Sequence, residues 1–291
     1  MKNRKDDGDF NLLMSAWSFS GTALKMQWKW RRESRDAPDG HSTRIIDVDG
    51  DGRDEVHESG FTLHGDGQLR YSLGPQGYGA QQNNPNGLLE YYYDATQGKI
   101  IWRHSLPDGI ADVGRGLVGD IDPTSAGMEV WLFSGLYNGP SNRLLGQNTT
   151  LAPWPHLGLY WDGDNLMELY NDGKIEKWDW ESPSTSSSVP RLVTTRNLGA
   201  GSATGRNPAF HGDIFGDWRE EVILVSPEND EIIIFTTDRP TDIRLYTLAH
   251  NPACRNSMTL KGYVQGHHLD YFIGQDMTKP PRPNIRYAGT S

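Results

Sequence analysis

The sequence has one cysteine, Cys254, in 291 residues. That excludes an intrachain disulfide and any redox or metal centre built on several thiolates. No apolar run approaches the ~18 residues that a membrane-spanning helix needs, so no membrane partner is expected. Positive charge is scarce: 28 Lys and Arg stand against 38 Asp and Glu, a formal net charge of -10. Nucleic acid, which proteins grip largely by neutralising phosphates, is therefore not an expected partner. Room for long helices is missing too, because 33 Gly and 17 Pro punctuate the chain every few residues. The start, "MKNRKDDGDF", is charged, and "NLLMSAWSF" is too short and polar for the apolar core of a secretion signal.

What is present is short, aromatic and β-branched. The segments "KMQWKWRR", "GLLEYYYD", "KIIWRHSL", "MEVWLFSG", "LGLYWDG", "KIEKWDW", "EVILVSP", "EIIIFTT" and "DIRLYTL" are each bounded by Gly, Pro, Asp or Asn and read as strands. "YYYDATQGKIIWRH" reads as a hairpin turning at Asp94 to Gly98, and "EVILVSPENDEIIIFTT" as another turning at Pro227 to Asp230. One short helix is expected around "LYTLAHNPACRNSM", limited by Pro252. The fold class is all-β.

An acidic loop recurs ahead of these strands. "DVDGDGRDEV" begins at Asp47, "DIDPTSAGMEV" at Asp120, "WDGD" at Trp161 and "DIFGDWREEV" at Asp213, and three of the four close on an acidic residue, Val and a strand. From Asp120 to Asp162 is 42 residues and from Asp162 to Asp213 is 51, near the ~40–50 residues of one four-stranded propeller blade. The 73 residues from Asp47 to Asp120 fit neither one blade nor two. A β-propeller, one domain over residues 1–291, is the simplest architecture.

In "GDIFGDWREEVILV", Asp213, Asp217, Glu220 and Glu221 crowd the mouth of a strand, where like charges repel. A cation among them is one resolution, and Arg219 paired with neighbouring carboxylates is another. "DVDGDGRDEVHE" satisfies the EF-hand spacing, but turn and strand residues flank it where an EF-hand needs helices. A β-turn calcium loop is the better reading, with Asp47, Asp49, Asp51 and Asp54 as hard oxygen ligands and Gly50 and Gly52 letting the backbone wrap the ion. The alternative is a solvated Asp–Gly turn. On the same grounds Asp120, Asp122 and Glu129, then Asp162 and Asp164, then Asp213 and Asp217, are candidate Ca2+ ligands.

"IIDVDGDGRDEV", "DVGRGLVGDIDPTSAGMEVW", "GDIFGDWREEV" and "PTDIRLYTLAHNPACRNSM", with the later "DYFIGQDMTKPPRPNI", resemble rhamnogalacturonan lyases of polysaccharide lyase family 11. The resemblance runs from about Met26 to Ile285. It implies an eight-bladed calcium-bearing β-propeller, an extracellular location, and cleavage of the rhamnogalacturonan I backbone of pectin by β-elimination. It also implies a longer N-terminal region and a further segment where this chain runs directly through "YSLGPQGYGAQQNNP". The chain is therefore expected to be truncated and internally deleted, with about five blades, and monomeric.

β-Elimination from a uronate needs its carboxylate neutralised, a base for the C5 proton and an acid for the departing O4. Calcium would meet the first need and reconcile an anionic protein with an anionic polymer. By position in the resembling motifs, Arg115 in "DVGRGLVGD" and Arg206 in "ATGRNPAFHGD" are the basic candidates, with substrate orientation the role that suits arginine. Tyr263 in "LKGYVQGHH" is the proton-donor candidate. Histidine titrates near neutrality and makes a readier base, which adds His250, His267 and His268. Trp131, Trp161 and Tyr137 read either as sugar platforms or as core. A non-catalytic calcium propeller and a two-carboxylate glycoside hydrolase are the competing classes.

Overall fold

A computed structural model describes residues 2–4, 10–31, 43–46, 48, 51–58, 61–72, 89–105, 116–132, 134–147, 156–182, 189–201, 207–259, 267–277 and 282–283. The chain divides into two compact units, Met1–Gly114 and Arg115–Ser291.

The first unit holds three antiparallel sheets. Strands β1 (Lys2–Arg4), β2 (Phe10–Phe19) and β3 (Leu24–Arg31) form one; "NLLMSAWSF" lies in the long β2. β4 (Arg44–Ile46), β5 (Glu55–Glu58), β6 (Phe61–Leu63) and β7 (Leu69–Ser72) form a four-stranded meander. β8 (Leu89–Asp94) and β9 (Lys99–Ser105) make the expected hairpin, whose turn is held by the Asp94 carboxylate accepting the Thr96 amide at 2.8 Å and by Gly98 at φ +71°. The core of this unit centres on fully buried Phe61 and Leu63, packed with Met14, Trp28, Trp30 and Val56. Trp30 stacks on Phe61 with ring centroids 5.0 Å apart.

His57 in β5 sits between two hydroxyls, its Nδ1 2.8 Å from Thr62 Oγ1 and its Nε2 2.9 Å from Tyr93 Oη. Burial, reinforced by the Arg44 charge, pushes its pKa down from 6.5 to about 4. The folded state thus binds fewer protons than the unfolded one between those values, so stability rises with pH there and is lost on acidification. Going from pH 7 to pH 5 should cost about 2 kcal/mol through this one group. A His57→Gln variant should flatten that part of the urea-denaturation profile, and a slope unchanged by the substitution would refute the assignment.

The second unit carries the repeat. β10 (Leu117–Gly119), β11 (Glu129–Trp131), β12 (Gly135–Asn138) and β13 (Leu144–Gln147) form one meander, and β14 (Leu157–Leu159), β15 (Glu168–Asn171), β16 (Lys174–Glu176) and β17 (Arg191–Thr194) the next. β18 (Phe210–Gly212), β19 (Glu221–Val225) and β20 (Ile232–Phe235) form a three-stranded sheet, with the second expected hairpin as β19–β20. Apolar layers lie between consecutive sheets. Ile121, Trp131, Leu136, Leu169 and Trp178 join the first pair, and Leu157, Leu159, Tyr170, Val222, Leu224 and Phe235 are among those joining the second. Successive four-stranded meanders packed face to face make the chain a β-propeller.

Met167 packs its side chain over a glycine in the first strand of each of two neighbouring sheets. A Cβ on Gly119 would lie 2.6 Å, and one on Gly158 2.2 Å, from Met167 Sδ. The short helix α1 (Pro252–Thr259) follows a 3-10 turn, Leu248–His250, and packs through Cys254 with Tyr160, Trp218, Leu248 and Ile273. "DIRLYTL" is not a strand: Ile243 and Leu245 pack into that last cluster, and the Ile243 carbonyl accepts the Trp218 indole at 3.2 Å instead of joining a ladder. Trp131, Trp161 and Tyr137 are buried, so all three serve the core. No helix of the described residues is long and apolar enough to cross a membrane.

Candidate functional site

Four sheets share one local construction. An acidic turn joins the first strand to the second, and the second strand opens with a buried glutamate: Glu55, Glu129, Glu168 or Glu221. Each of these turns also contains a left-handed glycine, Gly52, Gly127, Gly163 and Gly216, at φ +86°, +88°, +94° and +77°, a region that other residues enter only with strain.

The glutamate accepts amide protons from its own turn. Glu129 Oε2 takes those of Ile121 and Asp122 at 3.0 and 2.9 Å; Glu168 Oε2 takes that of Trp161 at 2.6 Å; Glu221 Oε2 takes those of Ile214 and Phe215 at 2.9 and 3.2 Å. Glu55 Oε2 takes that of Val48 at 3.2 Å. A tight turn leaves such amides without strand partners, and a charged acceptor satisfies them where water does not reach.

In the Asp120 turn one carboxylate oxygen has no donor among the described residues. Asp122 is tied down, its Oδ1 accepting from the Thr124 amide at 2.8 Å and its Oδ2 from the Trp178 indole at 3.0 Å. Asp120 is 2% exposed; its Oδ2 accepts the Gln275 amide at 2.6 Å, but its buried Oδ1 accepts no hydrogen bond among the described residues. Burial lifts Asp120 to about 6 against the Gln275 amide, with the charges of Asp276, Asp122 and Asp164 adding to the rise. Burial likewise lifts Glu129 to about 7, against the Asp122 and Ile121 amides and Asn138. A buried carboxylate oxygen without a described donor, near the charges of Asp276, Asp122 and Asp164, suits a hard divalent cation. The three carboxylates that converge within 4.8 Å among the described residues are, however, those of Asp162, Asp164 and Glu168.

The Asp162 turn is built differently. Oxygens of Asp162, Asp164 and Glu168 lie within 4.8 Å of one another. Between them stands Lys177 Nζ, 2.7 Å from Asp162 Oδ2, 2.6 Å from Asp164 Oδ2 and 2.9 Å from Glu168 Oε1. Arg239 Nη1 adds a contact to Asp162 Oδ2 at 3.3 Å. Burial alone would depress Lys177, but the Glu168 charge and the bonds to all three carboxylates outweigh it and hold the ammonium protonated. The same lysine, against the burial that would raise it, holds Asp162 below its ordinary value.

The crowded Asp213 turn distributes its four charges among separate partners. Asp213 Oδ1 accepts the amides of Gly216 and Asp217 at 2.7 and 3.0 Å, and its Oδ2 those of Trp218 and Leu248 at 3.1 and 2.9 Å. Those bonds hold Trp218, fully buried, in a left-handed conformation at φ +72°. Asp217 pairs with Arg219. Glu220 accepts the Tyr160 amide at 2.9 Å and pairs with His267, while Glu221 also accepts from Thr236 Oγ1 at 3.0 Å. Nothing in this arrangement requires an ion.

In the first turn Asp51 accepts the Arg53 amide at 2.8 Å, and both Asp51 and Asp54 are exposed. Strands β4 and β5 flank this turn where an EF-hand would have helices. Asp47, Asp49, Arg115, Arg206 and Tyr263 lie outside the described residues. His250 is exposed at the end of its 3-10 turn, its ring centroid 6.5 Å from that of Tyr246. His267 faces inward, against Glu220 and 4.5 Å from the His211 ring. Sequence reasoning passed over Glu55, Glu168 and Lys177. The glutamates were visible as the recurring "EV" or "EL" that opens each second strand; Lys177, in "KIEKWDW", gave no local signal.

The family model described as rhamnogalacturonan lyase family 11, C-terminal domain, matches residues 78–283. Among curated proteins the chain is similar to rhamnogalacturonan endolyase YesW of Bacillus subtilis (strain 168), 31% identical over 94% of this chain and 46% of the relative. It is also similar to rhamnogalacturonan exolyase YesX of the same organism, 30% identical over 96% of this chain and 51% of the relative. The solved structures of YesW and of a Bacillus licheniformis rhamnogalacturonan lyase superpose with TM-scores of 0.78 and 0.79, at 29% and 30% identity. They match 95% and 96% of this chain and 50% of each structure. The chain spans about half the length of the relatives it matches.

Proposed function

The chain belongs to rhamnogalacturonan lyase family 11, and from that premise we propose that it is a calcium-dependent rhamnogalacturonan lyase, acting on the rhamnose–galacturonate backbone of pectin outside the cell. The match to the family's C-terminal domain over residues 78–283 carries this reading. Asp120, Asp122 and Glu129 would hold the calcium, since Asp120 offers a buried oxygen with no described donor. Calcium, when bound, supplies charge neutralisation to a uronate that a protein of net charge -10 would otherwise repel.

The chain's own groups divide the remaining work. Arg115 and Arg206 orient the galacturonate carboxylate. His250, exposed and carrying an imidazole nitrogen that can accept a proton, takes the proton from C5. Tyr263 gives a proton to O4 as the C4–O4 bond breaks, and a C4–C5 double bond forms.

Incubating the purified chain with rhamnogalacturonan I and calcium should give rising ultraviolet absorbance from the unsaturated product. Chelator should abolish the rise, and Arg115→Ala should slow it about 10²-fold through lost substrate orientation. New reducing ends without absorbance would instead identify a hydrolase. Polysaccharide binding without any product would identify a non-catalytic calcium propeller.

A further inference from the structure

We propose that Lys177 is the resident cation of the Asp162–Glu168 turn, so that this turn takes no divalent ion. The inference concerns which turns use a metal, and so rests on the calcium reading given above. It stands on a comparison of equivalent positions in four sheets.

In each sheet one residue of the third strand, or just past it, lies opposite the buried glutamate. Glu129 pairs directly with Asn138. Continuing the observed registers by one step sets Glu168 opposite Lys177, Glu221 opposite Thr236 and Glu55 opposite His64. Where the contact is described, the opposing residue donates to the same glutamate oxygen, Oε1: Asn138 Nδ2 at 3.3 Å, Thr236 Oγ1 at 3.0 Å and Lys177 Nζ at 2.9 Å. Asparagine and threonine bring a neutral dipole to that place. Lysine brings a full positive charge, and its reach extends to the turn aspartates as well.

The consequences for metal binding are geometric and electrostatic. Calcium sits 2.3–2.6 Å from its oxygens, as an approximate range, and the ammonium already occupies the point from which all three carboxylates are reached at 2.6–2.9 Å. An ion could enter only by expelling Lys177, whose side chain is 15% exposed, or by lying against a like charge. The Asp120 turn has the opposite character: Asn138 opposes its glutamate, and Asp120 Oδ1 has no described donor.

Calcium bound per chain, counted by equilibrium dialysis on the full chain, separates the cases. Lys177→Met should bind one ion more than the parent, because it leaves three converging carboxylates without their cation. Asp164→Asn in the parent background should leave the count unchanged. An Asp164→Asn chain that loses one ion, or a folded Lys177→Met chain that gains none, overturns the proposal. Asp164 is partly exposed, so its variant decides the matter even if Lys177→Met does not fold. Asp120→Asn reports separately on the calcium reading: an unchanged count there would refute the Asp120 site without bearing on Lys177.

Discussion

Replacing Lys177 by Met is expected to destabilise the protein by about 3–5 kcal/mol when calcium is chelated, the usual consequence of removing one partner from a buried ion pair. Methionine keeps the apolar stem and removes only the charge, so the loss reports on the ammonium. Asp162, 9% exposed, and Glu168, fully buried, would then face each other with no cation of their own. In a chain of this size the melting temperature should fall by about 10 °C. The deficit should shrink on acidification, because burial without the lysine raises the carboxyl pKa values and the folded state then takes up protons that the unfolded state does not. Calorimetry in chelator at two pH values checks both points. A change below about 1 kcal/mol, within the range of an exposed ion pair, would show that the triad contributes little.

Trp178→Ala should cost a similar amount, about 3–5 kcal/mol, for a different reason. The indole is 1% exposed and joins two sheets, packing with Ile121, Trp131, Leu136 and Leu169. It lies so near Gly146 that a Cβ there would stand 2.4 Å from the ring carbon Cη2. Its Nε1 also donates to Asp122 Oδ2 at 3.0 Å, so truncation opens a cavity and strips a buried carboxylate of its donor. Trp178→Phe keeps most of the volume and loses only the donor, and should cost about 1–3 kcal/mol. Urea denaturation should show both as shifts in midpoint with unchanged slope. Equal losses for the two variants would mean that the hydrogen bond, not the packing, accounts for the effect.

The sequence alone determined the β character of the chain, the two hairpins, the short helix after Pro252 and the repeated acidic turns. These are local properties: turn residues set direction over a few positions, and β-branched and aromatic runs of four to eight residues do not support helices. Tertiary structure decided how each acidic turn satisfies its charge. Four aspartate–glycine turns look alike in sequence, yet Asp213 is saturated by backbone amides, Asp162 by a lysine, and Asp120 keeps an oxygen that no described group reaches. The deciding partners stand far along the chain, Leu248 for Asp213 and Gln275 for Asp120, or across a strand pair whose register no turn motif encodes, as Lys177 does for Asp162. A carboxylate's partner depends on which donors folding brings within about 3 Å of it, and that distance is a property of packed sheets, not of spacing along the chain.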